Sequence, residues 1–191
     1  MLQHIIPSKA RRKILALFYL QPQDHHYLRE IVRSVKEEVN AVKRELDILA
    51  DAKILLKERR LNKVFYSLNK QHLLYEDFIR IFAKQSVIAQ LIYDNAQKLG
   101  KIKYIVLANK FAKRLPMKDD EVAMVFVGTL VIPEVSAIIT SVEKDFGIEI
   151  NYTVMTDDEF LFRKKNTDPF IWRFLKQPKI MLFGSEEELM K

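Results

Sequence analysis

Six side chains within residues 1–74 have the types and spacing to hold a polyanion. Asn40, Lys43 and Arg44 recur at helical spacing in a segment whose apolar residues, Val39, Val42, Leu46 and Leu49, make a separate stripe. Amide and guanidinium groups form paired hydrogen bonds with base edges, and lysine and arginine pair with phosphates. Arg59, Arg60 and Lys63 crowd the junction of two runs, ILLKER (54–59) and KVFYSL (63–68), which are rich in branched and aromatic residues and read as strands. Arg60, Leu61 and Asn62 join these runs, and Asn62 tolerates the positive φ that a tight hairpin needs. Cations at such a tip suit the DNA backbone or the minor groove. Glu37 and Glu38 lie just before the helix and oppose phosphate, although a carboxylate can also accept from cytosine N4.

Other chemistry is sparsely supplied. His25 and His26 are adjacent and point apart, while His4 and His72 stand alone, so each is expected in packing or at the surface. The chain has no cysteine, which excludes a disulfide scaffold, a thiolate metal site and a thiol nucleophile. Neither a glycine-rich phosphate loop nor a serine elbow is found. No metal site and no cofactor is expected. Asp119, Asp120 and Glu121 read as a solvated turn before a buried strand.

The elements that would carry the six polar residues follow from periodicity. Ser8 is placed to cap a helix, KARRKILALFYL, that ends at Gln21-Pro22. Leu28, Ile31, Val32 and Val35 mark a second helix, and a polar break at Lys36-Glu37 leads to the third. Three helices and a basic hairpin follow the order of a winged helix-turn-helix, whose third helix faces a major groove. In LREIVRSV, NAVKRELDILADAKIL, ERR and FYSLN the segment resembles the winged helix of ArsR-type transcriptional regulators. That resemblance covers about seventy residues and implies double-stranded DNA as the partner. Winged helices also act as protein-binding adaptors, and the basic hairpin disfavours that alternative.

Charge agrees with this division. Residues 1–74 contain 15 Lys and Arg against 8 Asp and Glu, whereas residues 75–191 contain 17 of each sign. A basic module joined to a neutral one points to a polyanion for the first alone. With 49% apolar residues the chain can bury a core, and its longest apolar run, Val122 to Ile132, is too short to span a bilayer. Met1 to Ile6 lacks the order of a signal peptide, and a cysteine-free chain suits the cytoplasm. Residues 75–101 read as a helical connector, with Phe78, Ile81, Phe82, Ile88, Leu91, Ile92 and Leu99 making a wide apolar face. That face suits packing onto neighbouring modules or a homodimer interface.

Residues 102–191 alternate strand and helix patterns, which predicts an α/β (α+β) architecture with a mixed sheet. Strands are expected at IKYIVL (102–107), VAMVFVG (122–128), IEINYTVM (148–155) and KIMLFG (179–184). Pro133 is expected to open a helix that closes before Gly147, Asp157 or Asp158 to cap the next, and Pro169 to lie near the start of FIWRFL. This order, with NYTVMT, DPF and PKIMLFG, is similar to small polymerase-β-type nucleotidyltransferase domains. Active members use a Gly-Ser pair to approach the nucleotide phosphates and an Asp-x-Asp to hold two magnesium ions. The resemblance places those features at Asn109 and Lys110 and at Glu121 and Ala123, and gives no third carboxylate near Asn151. It therefore implies a catalytically degenerate domain, a scaffold, sensor or oligomerisation unit able to bind a nucleotide or another small molecule through Lys110. An Asp119/Glu121 pair would restore two acids only by shifting the spacing to Gly128. The reading is a DNA-binding transcriptional regulator that is not an enzyme, and its enzymatic alternative is an active, antitoxin-like nucleotidyltransferase.

Overall fold

A computed structural model describes residues 2–22 and 24–191 as helices and two sheets, an α/β architecture. Met1, in the apolar Met1–Ile6 stretch, lies outside the described residues, as does Gln23. The chain divides into two compact units, 1–82 and 83–191, each with its own core.

The first unit runs α1 (Lys9–Leu20), β1 (His26–Tyr27), α2 (Leu28–Val35), α3 (Val39–Asp51), β2 (Leu55–Arg60), β3 (Lys63–Leu68) and α4 (Tyr75–Ala83). Ser8 caps α1 by accepting from the Arg11 amide, as its position predicts. Lys36, at φ 52, ends α2 in the left-handed region and turns the chain into α3. Ile14, Phe18, Ile31, Val42 and Leu46 are fully buried and join the three helices. β3 lies between β1 and β2, antiparallel to both. The short β1 falls where composition suggests a polar connection, and two residues are too few to show strand alternation.

Two expectations about the hairpin are corrected. Arg60 belongs to β2 and pairs with Lys63, so the loop is only Leu61-Asn62. The positive φ falls on Leu61 (φ 51), the first loop position, instead of Asn62. Tyr75, Phe78 and Phe82 of α4 surround Tyr19 of α1, with ring centroids 6.2, 5.3 and 5.3 Å away. The expected connector thus divides: α4 packs in the first unit and α5 (Val87–Asp94) in the second. Much of its apolar face, including Phe82, Ile88, Ile92 and Leu99, is buried.

After α5 the second unit runs β4 (Gly100–Ala108), α6 (Asn109–Ala112), β5 (Met124–Leu130), α7 (Ile132–Phe146), β6 (Tyr152–Met155), α8 (Asp157–Lys165), α9 (Pro169–Lys176), β7 (Lys179–Phe183) and α10 (Glu186–Met190). Its sheet order is β6-β5-β4-β7; β5 and β6 are parallel and the other neighbours antiparallel. β5 begins at Met124, after Val122, and β6 is shorter than IEINYTVM suggests. The Ile148 and Ile150 amides donate to the Glu143 carbonyl and carboxylate, which removes them from the ladder. Thr156, not Asp157 or Asp158, caps α8, and the two aspartates occupy its first turn. Pro133 lies in the first turn of α7 and Gly147 closes it at φ 61, as the sequence predicts.

Candidate functional site

The α3 helix presents its polar residues because its other side is anchored. Val42, Leu46 and Leu49 are buried, which leaves Asn40, Lys43 and Arg44 exposed on the outward face. The acids before the helix are engaged within the protein. Glu37 bonds Lys13 and Lys9 of α1 at 2.6 and 3.1 Å, and these bonds, Lys13 first, lower its carboxyl pKa. Glu38 caps α3, and hydrogen bonds from the Asn40 and Ala41 amides lower its pKa as well. The two acids that the sequence reads as opposing phosphate are thus engaged by α1 and by the first turn of α3.

A buried acid on α3 escapes the sequence reading. Glu45 is 3% exposed and accepts from Ser8 Oγ and Arg11 Nε, each at 2.7 Å. Burial pushes its pKa up, but these bonds and the Arg11 and Arg44 charges outweigh burial, and the net shift is downward. Its signal in the sequence is position: Glu45 falls between Val42 and Leu46 on the apolar stripe.

The polar face continues onto the hairpin. Asp47, one turn beyond Lys43 and Arg44, meets Lys57 of β2 at 2.9 Å. Lys57 and Arg59 share a face of the strand, since side chains alternate, so the stripe runs from Asn40 through Lys57 to Arg59. The three expected hairpin cations are divided between faces. Arg60 and Lys63 form the terminal pair on the opposite face, where Arg60 lies 5.5 Å from the Phe65 ring and Lys63 4.3 Å from Tyr27. Glu58 also pairs with Arg60 at 2.7 Å, which places one acid among these cations.

In the second unit the positions singled out by resemblance are brought together differently from a two-metal centre. Asn109 opens α6, is buried, and donates its amide to the Pro178 carbonyl. Lys110 Nζ lies 2.5 Å from Glu121 Oε2, which also accepts from the Lys118 amide. These bonds, Lys110 first, lower the Glu121 pKa. Ala123 is buried between strands: its amide donates to the Asn151 carbonyl and its carbonyl accepts from Ala108. The Asn151 side chain donates to the Glu121 carbonyl at 3.0 Å, and Asp120 pairs with Arg173 of α9 at 2.5 Å. The acids and Asn151 therefore fasten the segment before β5, and an ammonium lies against the carboxylate aligned with a metal ligand. Among the described residues no three His, Asp or Glu side chains gather as a metal site, and no helix is long and apolar enough to cross a membrane.

Compared with protein families, with curated proteins and with solved structures, the chain matches none.

Proposed function

We propose that the protein is a DNA-binding transcriptional regulator whose first unit acts as a winged helix-turn-helix. Its second unit is nucleotidyltransferase-like and does not catalyse transfer. The observation that carries the reading is the continuous exposed stripe of Asn40, Lys43 and Arg44 on α3, joined through Asp47 and Lys57 to Arg59. Helix residues of these types can discriminate base edges, and the hairpin cations can neutralise phosphates beside them. The Lys110–Glu121 ion pair supports the non-catalytic part, because Glu121 is committed to a cation of the protein itself.

Fluorescence anisotropy with labelled duplexes tests the proposal. Affinity should fall steeply with salt, since each neutralised phosphate releases a counterion. On a site selected from a random duplex library, Asn40→Ala or Arg44→Ala should cost about 1–3 kcal/mol and much less on other sequences. Arg59→Ala should weaken all duplexes alike and flatten the salt dependence. Absence of duplex binding at low salt by the folded protein would overturn the reading in favour of a protein-binding adaptor.

A further inference from the structure

The tip of the hairpin carries a feature that phosphate neutralisation does not require. Leu61 is 95% exposed, although it is large and apolar. It occupies the left-handed region at φ 51, where a branched side chain is disfavoured and glycine or asparagine fits better. Asn62, the residue suited to that conformation, is the next one along the chain. The loop therefore holds a leucine outward, in a strained backbone, at the tip of the hairpin.

The residues around it are cationic apart from Glu58, which pairs with Arg60, and they are braced. Arg60 and Lys63 flank the loop as a cross-strand pair and lie over the Phe65 and Tyr27 rings. Those rings meet edge to face at 5.9 Å, so three strands support the tip from one side. An apolar point between two cations is complementary to a groove whose walls are phosphates and whose floor is stacked bases. The minor groove, about 6 Å wide and about 7.5 Å deep, admits a side chain carried on a narrow two-residue loop. Leucine is among the side chains that enter base steps from that groove and partly unstack them.

We propose that Leu61 is a minor-groove wedge that partly unstacks a base step while Arg60 and Lys63 hold the flanking phosphates. The proposal rests on the DNA-binding reading and adds to it a deformation of the duplex. It also assigns the hairpin a preference for flexible pyrimidine–purine steps, which unstack most easily.

The test uses the full chain and an alternating A·T duplex with 2-aminopurine at each adenine position of one strand, so the binding register need not be known. Anisotropy reports binding, and 2-aminopurine fluorescence reports unstacking. Saturation with the native protein should raise the fluorescence severalfold. Leu61→Ser lies on an exposed tip, and its circular dichroism should match the native protein. It should bind within about twofold, because phosphates supply non-specific affinity, yet leave the fluorescence at the free-duplex level. Leu61→Met should restore the rise. An undiminished rise with Leu61→Ser, or native protein bound without any rise, would overturn the wedge and leave DNA binding intact. Loss of anisotropy change at low salt would overturn the DNA-binding reading and the wedge together. Leu61-dependent insertion into phosphatidylserine vesicles, with flat duplex fluorescence, would assign the tip to a membrane surface and overturn the proposal.

Discussion

At the scale of single residues, two buried polar groups in the first unit have opposite energetic signs. The Glu45 carboxylate is satisfied by Ser8 and Arg11, so removing it strands a partly exposed guanidinium and the hydroxyl that also caps α1. Glu45→Ala should destabilise the protein by about 2–3 kcal/mol in urea unfolding, below the full cost of breaking a wholly buried pair. Its folded pKa lies below the ordinary 4.5, so its contribution is present above 4.5 and is lost as pH falls through the folded value. The difference between native and Glu45→Ala should therefore hold at neutral pH and shrink under acid. Tyr19 is the converse case. Its hydroxyl is buried without a hydrogen-bond partner among the described residues, and burial, with Tyr75 second, raises its pKa. Its ring is stacked on Phe82 at an interplanar angle of 5°. Tyr19→Phe keeps that stack and removes the unsatisfied oxygen, so thermal unfolding should show a gain of about 1 kcal/mol. A loss of stability would mean that the hydroxyl has a partner after all.

At the scale of elements, legibility depended on how far each signal extends along the chain. Helices α1, α2 and α3 and strands β2 and β3 were readable because their apolar residues repeat over several turns or alternations and end at Ser8, Gln21 and Lys36. The six candidate residues are all exposed, but the split of Arg59 from Arg60 and Lys63 depends on register, which one loop residue decides. A leucine at positive φ has no signal in composition, and neither has the bulge in β4. There the register slips between Ile102 and Tyr104, opposite Gly128. Gly128 has φ 145, and a Cβ on it would sit 2.2 Å from the Lys101 carbonyl oxygen. Since the obstacle is backbone, relief requires moving two central strands. Gly128→Ala should cost more than about 2 kcal/mol in denaturant unfolding, and a near-neutral effect would show that the bulge can shift.

At the scale of the whole molecule, charge and packing place the same boundary at different residues. Charge alone divides the chain near residue 74, because it locates cations and not contacts. Packing moves the boundary to Phe82, since α4 supplies Tyr75, Ile79 and Phe82, which are 5%, 1% and 1% exposed, to the first core. The basic excess survives that change: residues 1–82 hold 16 Lys and Arg against 10 Asp and Glu, and residues 83–191 hold 16 against 15. Periodicity recognised α4 as apolar but could not say which neighbour it covers, because an amphipathic face does not name its partner. Burying three large side chains contributes on the order of 5–8 kcal/mol, comparable to the entire stability of a small domain. A chain ending at Leu74 should therefore unfold or melt broadly, with the Tyr19 ring uncovered, whereas one ending at Phe82 should show a cooperative thermal transition by circular dichroism. The longer fragment should retain salt-dependent affinity for a mixed-sequence duplex, while residues 83–191 should bind it far more weakly at the same salt. Equal stability of the two shorter fragments would show that α4 adds little to the first core. Comparable duplex affinity of residues 83–191 would show that net charge misplaces the proposed DNA-binding surface.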